Sequence, residues 1–131
     1  MADIETSAVT RGIHVGVLSH YVAEQSQPGD GQWLFAYQIT IRNDGDEPVQ
    51  LVSRKWVITN ANGSTQSVEG AGVVGHQPRM RPGEGFQYVS ACPLDTAIGT
   101  MHGAYSMVTD AGECFDAEIP LFVLADPIAV N

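Results

Sequence analysis

The segment Trp33–Asn43 alternates apolar and polar residues with a period of two, and this pattern restricts the fold more than any other part of the chain. One face carries the large apolar residues Trp33, Phe35, Tyr37, Ile39 and Ile41. Because successive side chains of a β-strand point to opposite faces, the alternation predicts a half-buried strand. No segment of helical length has an apolar period of three to four residues, so we expect an all-β domain.

Further segments with the same alternation recur along the chain, and turn sequences separate them. We predict strands near residues 13–21, 49–60, 64–68, 86–91, 100–109 and 114–124. Asn62-Gly63 and Asp110-Ala111-Gly112-Glu113 mark tight turns between them. About seven short strands with such turns predict an antiparallel β-sandwich.

Arg54 occupies an unusual position in the predicted strand 49–60. It has the same parity as Val52, Trp56 and Ile58, whose apolar side chains we expect in the core. A charged group inside a protein needs a partner, because the loss of its hydration is costly. We therefore predict that Arg54 lies at the rim of the core or is held by a carboxylate or an anion.

The chain is acidic: its 131 residues carry a formal net charge of −9. Its length fits a single domain. The negative charge argues against nucleic-acid binding, which needs a basic surface to neutralise phosphates. The longest apolar run, near residues 121–125, is far too short to cross a bilayer, and residues 1–12 lack the apolar core of a signal peptide. We expect a cytoplasmic protein that does not insert into a membrane and keeps Cys92 and Cys114 reduced.

Basic residues cluster in the middle of the chain, where residues 51–82 contain Arg54, Lys55, Arg79 and Arg81. The same segment has one acidic residue, Glu69, so four bases and one acid leave a local charge of +3. Two interpretations of this cluster stay open. It forms a small anion-binding patch, or each base pairs with a nearby carboxylate on a solvated surface.

The segment 68–82 is rich in glycine, and Gly70, Gly72 and Gly75 match the pattern G-x-G-x-x-G. In a dinucleotide-binding fold, a helix begins directly after this pattern and its N-terminus holds a pyrophosphate. Pro78 and Pro82 follow here instead, and this context argues against a Rossmann-type site. Two interpretations remain. The turn binds an anion through backbone N–H groups aided by the nearby arginines, or it is a wide loop whose glycines adopt positive φ.

Catalytic and metal-binding patterns are missing from the sequence. It has no G-x-S-x-G or H-E-x-x-H motif and no Walker lysine loop, and its four histidines lack metal-ligand spacing. We therefore expect no enzymatic activity, no cofactor and no metal site. The candidate binding residues are those of the glycine segment and the bases around it: Arg54, Gly70, Gly72, Val73, Val74, Gly75, His76, Arg79 and Arg81.

Several longer patterns occur in a fixed order along the chain. They are Phe35-x-Tyr37-x-Ile39-x-Ile41-x-Asn43, Gln50-Leu51-x-x-Arg54-x-Trp56-x-Ile58, the glycine segment with Gln77-Pro78, and Gly99-x-Met101-x-Gly103-x-Tyr105-x-Met107. This order resembles the ApaG family over residues 9–124, which we expect to form one domain between a flexible N-terminus at 1–8 and a C-terminal tail at 125–131. Members of the family look like fibronectin type III or immunoglobulin-like sandwiches, so the resemblance implies that fold.

The resemblance also implies a class of function. Bacterial members are cytosolic, and similar domains in eukaryotes are attached to an F-box protein and to a DNA-polymerase-interacting protein. The family has no established catalytic residues to carry over. We therefore predict a non-enzymatic binding module for an unidentified protein partner, docked by edge-strand pairing or through the surface around Gly72, Val73 and Val74. The alternative is binding of a small anion, such as pyrophosphate or a nucleotide with Mg²⁺, through residues 70–81.

Overall fold

The computed structural model describes residues 5–129, which form nine β-strands and two short 3-10 turns. The strands are β1 (Thr6–Thr10), β2 (Ile13–Tyr21), β3 (Trp33–Asn43), β4 (Val49–Asn60), β5 (Thr65–Ala71), β6 (Arg79–Met80), β7 (Gly85–Leu94), β8 (Ile98–Thr109) and β9 (Cys114–Ala125). The 3-10 turns, Ala23–Gln25 and Pro28–Asp30, lie between β2 and β3. No helix among these residues is long and apolar enough to span a membrane.

The strands form two antiparallel sheets, as the alternating sequence pattern predicts. The first has the order β1-β2-β3-β7, and the second has the order β5-β4-β8-β9 with β6 paired to β4. On one side of the sandwich β9 lies against β1 and β2, where Ser19 Oγ donates a hydrogen bond to the Val123 carbonyl at 3.1 Å. The opposite side lies between the edge strands β5 and β7, and we call it the open side.

The core fills the space between the sheets with the apolar residues that the alternation predicts. Phe35, Tyr37, Ile39 and Ile41 of β3 are all buried. At the centre, the ring centroids of Tyr37 and Trp56 lie 5.4 Å apart, and each lies 5.9 Å from the ring of Phe122. Trp56 is 3% exposed, which confirms its predicted burial.

The expectation that Val52 is buried is wrong, because β4 contains a bulge. Leu51 pairs with Met107 and Ser53 with Ser106, so Val52 is an extra residue without a partner in β8. The extra residue reverses the alternation, since a bulge shifts all later side chains by one position. Leu51 is therefore buried while Val52 is 38% exposed.

The ends of the domain extend beyond the boundaries expected from the sequence. Strand β1 pairs Thr6 to Ala8 with β2, although these residues belong to the segment 1–8 that we expected to be a flexible N-terminus. Strand β9 continues to Ala125, and the buried Asp126 accepts a hydrogen bond from Trp33 Nε1 at 3.3 Å. The ordered domain begins earlier than expected because β1 pairs with β2. It ends later because Trp33 holds Asp126. Residues 1–4 and 130–131 lie outside the described residues.

Candidate functional site

The glycine segment forms a tight hairpin after β5. Val73 and His76 exchange two backbone hydrogen bonds, each 2.8 Å long. Between them, Val74 has a φ of 42° and Gly75 a φ of 83°. Positive φ at both central residues is the pattern of a type I′ turn. We call residues 70–77 the glycine hairpin.

The bulge in β4 anchors this hairpin. The carbonyl oxygen of Val52 accepts a hydrogen bond from the Gly72 N–H at 2.9 Å and another from Gln77 Nε2 at 2.8 Å. Gly72 has a φ of 62°, and a Cβ at this position would overlap the His76 carbonyl. The glycine pattern therefore serves a turn and a close backbone approach in this protein, and a strand follows it rather than a helix.

The glycine hairpin reaches across to the other sheet. The ring of His76 lies 5.7 Å from the ring of Phe86 at the start of β7. The hairpin thereby connects the second sheet to the first at one end of the open side.

Arg54 lies beneath the glycine hairpin and is half-buried. Its Nη1 donates hydrogen bonds to the carbonyl oxygens of Ala71 at 3.0 Å and Gly72 at 2.9 Å. A Cβ at Gly70 would lie 2.9 Å from Nη1, so the absence of a side chain at residue 70 leaves room for the guanidinium. Arg54 lies beside the core, as one of the predicted alternatives has it. Backbone carbonyls, rather than a carboxylate, accept its hydrogen bonds.

The other basic residues of the cluster are paired with carboxylates at the surface. Lys55 lies 3.9 Å from Glu69. Arg79 Nε donates to Asp110 Oδ1 at 3.1 Å, and Arg81 Nε donates to Glu84 Oε1 at 3.2 Å. Elsewhere in the chain, Arg11 pairs with Glu47 and Glu113, and Arg42 pairs with Asp44. Within residues 5–129, Arg54 is thus the basic residue without a carboxylate partner.

Two of these ion pairs lower the pKa of their carboxylates. The hydrogen bond from Arg79 lowers the pKa of Asp110, and hydrogen bonds from the side chain and backbone of Arg81 lower the pKa of Glu84. The pairing interpretation of the basic cluster therefore applies to Lys55, Arg79 and Arg81. Anion binding by the glycine hairpin stays a prediction, although the charges of Arg79 and Arg81 are already engaged.

A cavity of about 350 Å³ lies between the sheets at the open side, and we call it the Arg54 cavity. It is lined by Tyr37, Arg54, Trp56, Ile58, Gln66, Val68, Val73, Val74, Tyr88, Ser90, Ala91, Cys92, Pro93 and Met101. A second cavity, of about 450 Å³, shares Ile58, Gln66 and Pro93 with the first. Together they make a cleft that follows the open side between β5 and β7.

The tyrosine and cysteine side chains in and beside the cavity are held in their neutral forms. The hydroxyls of Tyr88 and Tyr105 are hydrogen-bonded to each other. Burial raises the pKa of Tyr37, Tyr88 and Tyr105, and the charge of Arg54 acts in the opposite direction on all three. Burial also raises the pKa of the Cys92 thiol to about 11. At neutral pH the cavity therefore presents one cation among uncharged hydrogen-bonding groups.

Strand β7 forms one wall of the cavity and is also a free sheet edge. In the part of the chain that the structure describes, it pairs with β3 on one side and with no strand on the other. Its ten residues, GFQYVSACPL, include no charged side chain. Val89 on its outer face is 62% exposed.

The structure brings some of the sequence-predicted residues together. Arg54, Val73 and Val74 line the cavity, while Gly70 and Gly72 lie against Arg54. Tyr88, Ser90 and the edge position of β7 were not predicted as parts of a site from the sequence. The unusual parity of Arg54 and the valines of the glycine segment were the features that pointed to this place. Among residues 5–129, no three His, Cys, Asp or Glu side chains lie close enough to hold a metal ion.

Comparisons with a family profile, with similar sequences and with a solved structure agree with one another. The sequence profile of the ApaG domain matches residues 23–109. Protein ApaG from Dechloromonas aromatica is 53% identical over 119 residues, which are 91% of this chain and 94% of the relative. Protein ApaG from Sodalis glossinidius is 52% identical over 117 residues, which are 89% of this chain and 94% of the relative. A crystal structure from Bordetella pertussis, of a protein described as ApaA, has a TM-score of 0.86 and 48% identity, covering 88% of this chain and 94% of that chain.

The fold and the site define a class of protein: a small antiparallel β-sandwich with a ligand-sized cleft along its open side. The sequence and structural matches cover most of the chain and agree with the resemblance found in the sequence. The chain belongs to the ApaG family.

Proposed function

We propose that this domain is a non-enzymatic, cytoplasmic binding module that takes an extended segment of a partner protein along β7. The observation that carries the proposal is the character of this strand, a free edge of ten residues without a charge. An unpaired edge offers a row of backbone N–H and C=O groups, to which another chain can add as a further strand.

The other sheet edges are less suited to such pairing. Natural proteins discourage edge-to-edge association with charges and with short or covered strands. Strand β5 carries Glu69, and β9 carries Asp116 and Glu118. Strand β1 has five residues and lies against β9, where Thr10 Oγ1 accepts a hydrogen bond from the Glu118 N–H at 3.0 Å. Among the sheet edges of residues 5–129, β7 is the one that is neither charged, short nor covered, although Pro93 near its end has no N–H to donate.

The cleft beside β7 would give such docking its specificity. Side chains of an added strand point alternately to opposite faces, so every second residue of the partner would face the cleft. Main-chain hydrogen bonds would supply affinity that depends little on sequence, while the cleft selects side chains. The acidic character of the chain, with a net charge of −9, favours a protein over a nucleic acid as the partner.

The chemistry of the cavity supports binding rather than catalysis. A nucleophile or general base must be deprotonated near the operating pH. Burial instead raises the pKa of Tyr37 and Tyr88, and it raises the pKa of Cys92 to about 11. These groups therefore stay protonated at neutral pH and supply neither a nucleophile nor a general base.

The experiment is a selection of binders from a phage library of random peptides, followed by affinity measurements on two matched variants. Val89→Lys places a charge on the outer face of β7, and Val123→Lys places the same charge on β9, where Val123 is 55% exposed. We expect Val89→Lys to weaken binding of the selected peptides by up to about fivefold, since an unfavourable cross-strand pair costs about 0.2–1 kcal/mol. Val123→Lys should bind like the unmodified protein. Equal affinity for all three proteins would contradict the proposal.

A further inference from the structure

We propose that the Arg54 cavity is a binding site for a carboxylate attached to an apolar body, with the Arg54 guanidinium as its anchor. This site does not depend on strand docking at β7. A free organic acid can occupy the cavity, and so can an acidic side chain of a docked segment.

The charge of Arg54 is not compensated by a carboxylate. Five of the six basic residues have a carboxylate within ion-pair distance, and among residues 5–129 Arg54 has none. Arg54 is nevertheless half-buried beside the apolar Trp56 and Val73. A cation that has lost part of its hydration beside apolar groups is stabilised by an anion that can reach it.

The backbone holds the Arg54 guanidinium through one of its nitrogens. Nη1 is engaged by the carbonyls of Ala71 and Gly72, which fixes the plane of the group. Nε and Nη2 have no hydrogen-bond partner within the described residues. These two nitrogens form the edge of arginine that donates two parallel hydrogen bonds to a carboxylate. The backbone thus positions Arg54 and leaves its bidentate edge available.

The lining of the cavity indicates the class of ligand. A doubly charged phosphate would call for more than one cation or for a nest of backbone N–H groups, and in the described residues the cavity offers a single base. The remaining walls include Trp56, Ile58, Val68 and Met101, which an inorganic ion would leave without a contact. A volume of about 350 Å³ is within the range of small-molecule sites, which are mostly apolar with a few placed polar groups. An organic monocarboxylate satisfies both the single charge and the apolar walls.

The primary test needs no mutation, because the ligand carries the change. Isotope-labelled protein is titrated with 3-phenylpropanoate and, separately, with 3-phenylpropanamide, which has the same shape without the charge. We expect the acid to bind at least about tenfold more tightly, with NMR shifts at the Trp56 indole N–H and at the Arg54 Nε–H. Equal affinity for acid and amide, or no saturable shift for either at millimolar concentration, would overturn the proposal.

A second arm distinguishes the two sources of the carboxylate. The free acid is compared with an acetylated, amidated peptide of extended sequence that carries Glu among apolar residues, and with the same peptide carrying Gln. A preference for Glu over Gln together with tighter binding than the free acid assigns the site to a docked segment. Tighter binding of the free acid assigns it to a small molecule. Both outcomes support a carboxylate site. If the free acid binds and the Glu peptide does not bind more tightly, docking at β7 fails while the carboxylate site stands.

Variants locate the site. Arg54→Gln should weaken binding of the acid by about ten- to a hundredfold, whereas Arg79→Gln, which removes an exposed and already paired base, should not change it.

Because Arg54 also holds the glycine hairpin, a second pair of variants leaves Arg54 unchanged. Val68→Glu places a competing carboxylate on the cavity wall, and Val68→Gln is its uncharged match. The acid should bind at least about tenfold more weakly to Val68→Glu than to Val68→Gln. Equal binding by that pair would overturn the proposal.

Discussion

The guanidinium of Arg54 lies over the backbone of Gly70, at a distance where a Cβ on residue 70 would approach Nη1 to 2.9 Å. The two residues are paired directly across β4 and β5. The missing side chain at residue 70 therefore determines where the cation of the cavity can lie. This contact connects the glycine pattern of the sequence with the charge of the candidate site.

Gly70→Ala should destabilise the domain and displace Arg54. The added methyl group must push the flexible end of Arg54 away from the carbonyls of Ala71 and Gly72, and the loss of these hydrogen bonds costs about 0.5–1.5 kcal/mol. Gly29→Ala is the matched control, since a Cβ at Gly29 meets nothing within 4 Å. Urea denaturation of both variants measures the difference. If Gly70→Ala is as stable as Gly29→Ala, the close approach of Arg54 is wrong.

Trp56→Ala should reduce the free energy of unfolding by about 3–5 kcal/mol, because it removes a large buried aromatic ring and leaves a cavity. Trp56 contacts both Tyr37 and Phe122, so its loss weakens the centre of the core. Chemical denaturation gives the value. Val123→Ala, at an exposed position, should change stability by less than about 0.5 kcal/mol. A Trp56→Ala variant that unfolds like the unmodified protein would contradict the placement of Trp56.

Val74→Asn should stabilise the fold and weaken binding at the open side. A β-branched residue at a φ of 42° is strained, whereas Asn followed by Gly is the preferred pair of a type I′ turn. We expect a gain of about 0.5–1 kcal/mol, measured by thermal unfolding. Val74 is 54% exposed and lines the mouth of the cavity, so the polar side chain should lower the affinity for an apolar ligand. Val74→Thr keeps the branched Cβ and should show no gain. A loss of stability in Val74→Asn would contradict the assigned turn.

The domain should lose stability above about pH 8.5, where free thiols and then phenols begin to ionise in the unfolded chain. Burial raises the pKa of Cys92 to about 11 and raises the pKa of Tyr88 and Tyr105. The unfolded state therefore releases these protons first, and the free energy of unfolding falls as the pH rises towards the folded values. Urea denaturation between about pH 8 and pH 10.5 tests this, with Cys92→Ala as the variant in which the earliest part of the decrease disappears. A constant free energy of unfolding over that range would contradict the burial of these groups.

The sequence was informative where structure is determined locally. The alternation in Trp33–Asn43 predicted a strand and its buried face correctly, because both depend only on neighbouring residues. The parity of Arg54 predicted a cation beside the core. The bulge at Val52 was not predictable, since it depends on hydrogen bonds from Gly72 and Gln77, which follow it by 20 and 25 residues.

Contacts between residues far apart in the sequence also determine which basic side chains have a carboxylate partner. Arg79 and Asp110 are separated by 31 residues, and no local pattern indicates that they meet. The exposure of β7 depends in the same way on the order of strands in the first sheet, in which β7 follows β3 at the edge. The candidate site is therefore visible in the sequence as single unusual residues, and the fold is needed to assemble them.

Amide hydrogen exchange of the labelled domain, with and without a peptide selected for binding, tests docking at the open side most directly. We predict that amides of β7 facing the free edge exchange quickly in the isolated domain and become protected in the complex, because they then donate to the added strand. Amides of β1 and β9 should keep their exchange rates. Protection confined to another strand, with β7 unchanged, would contradict the account.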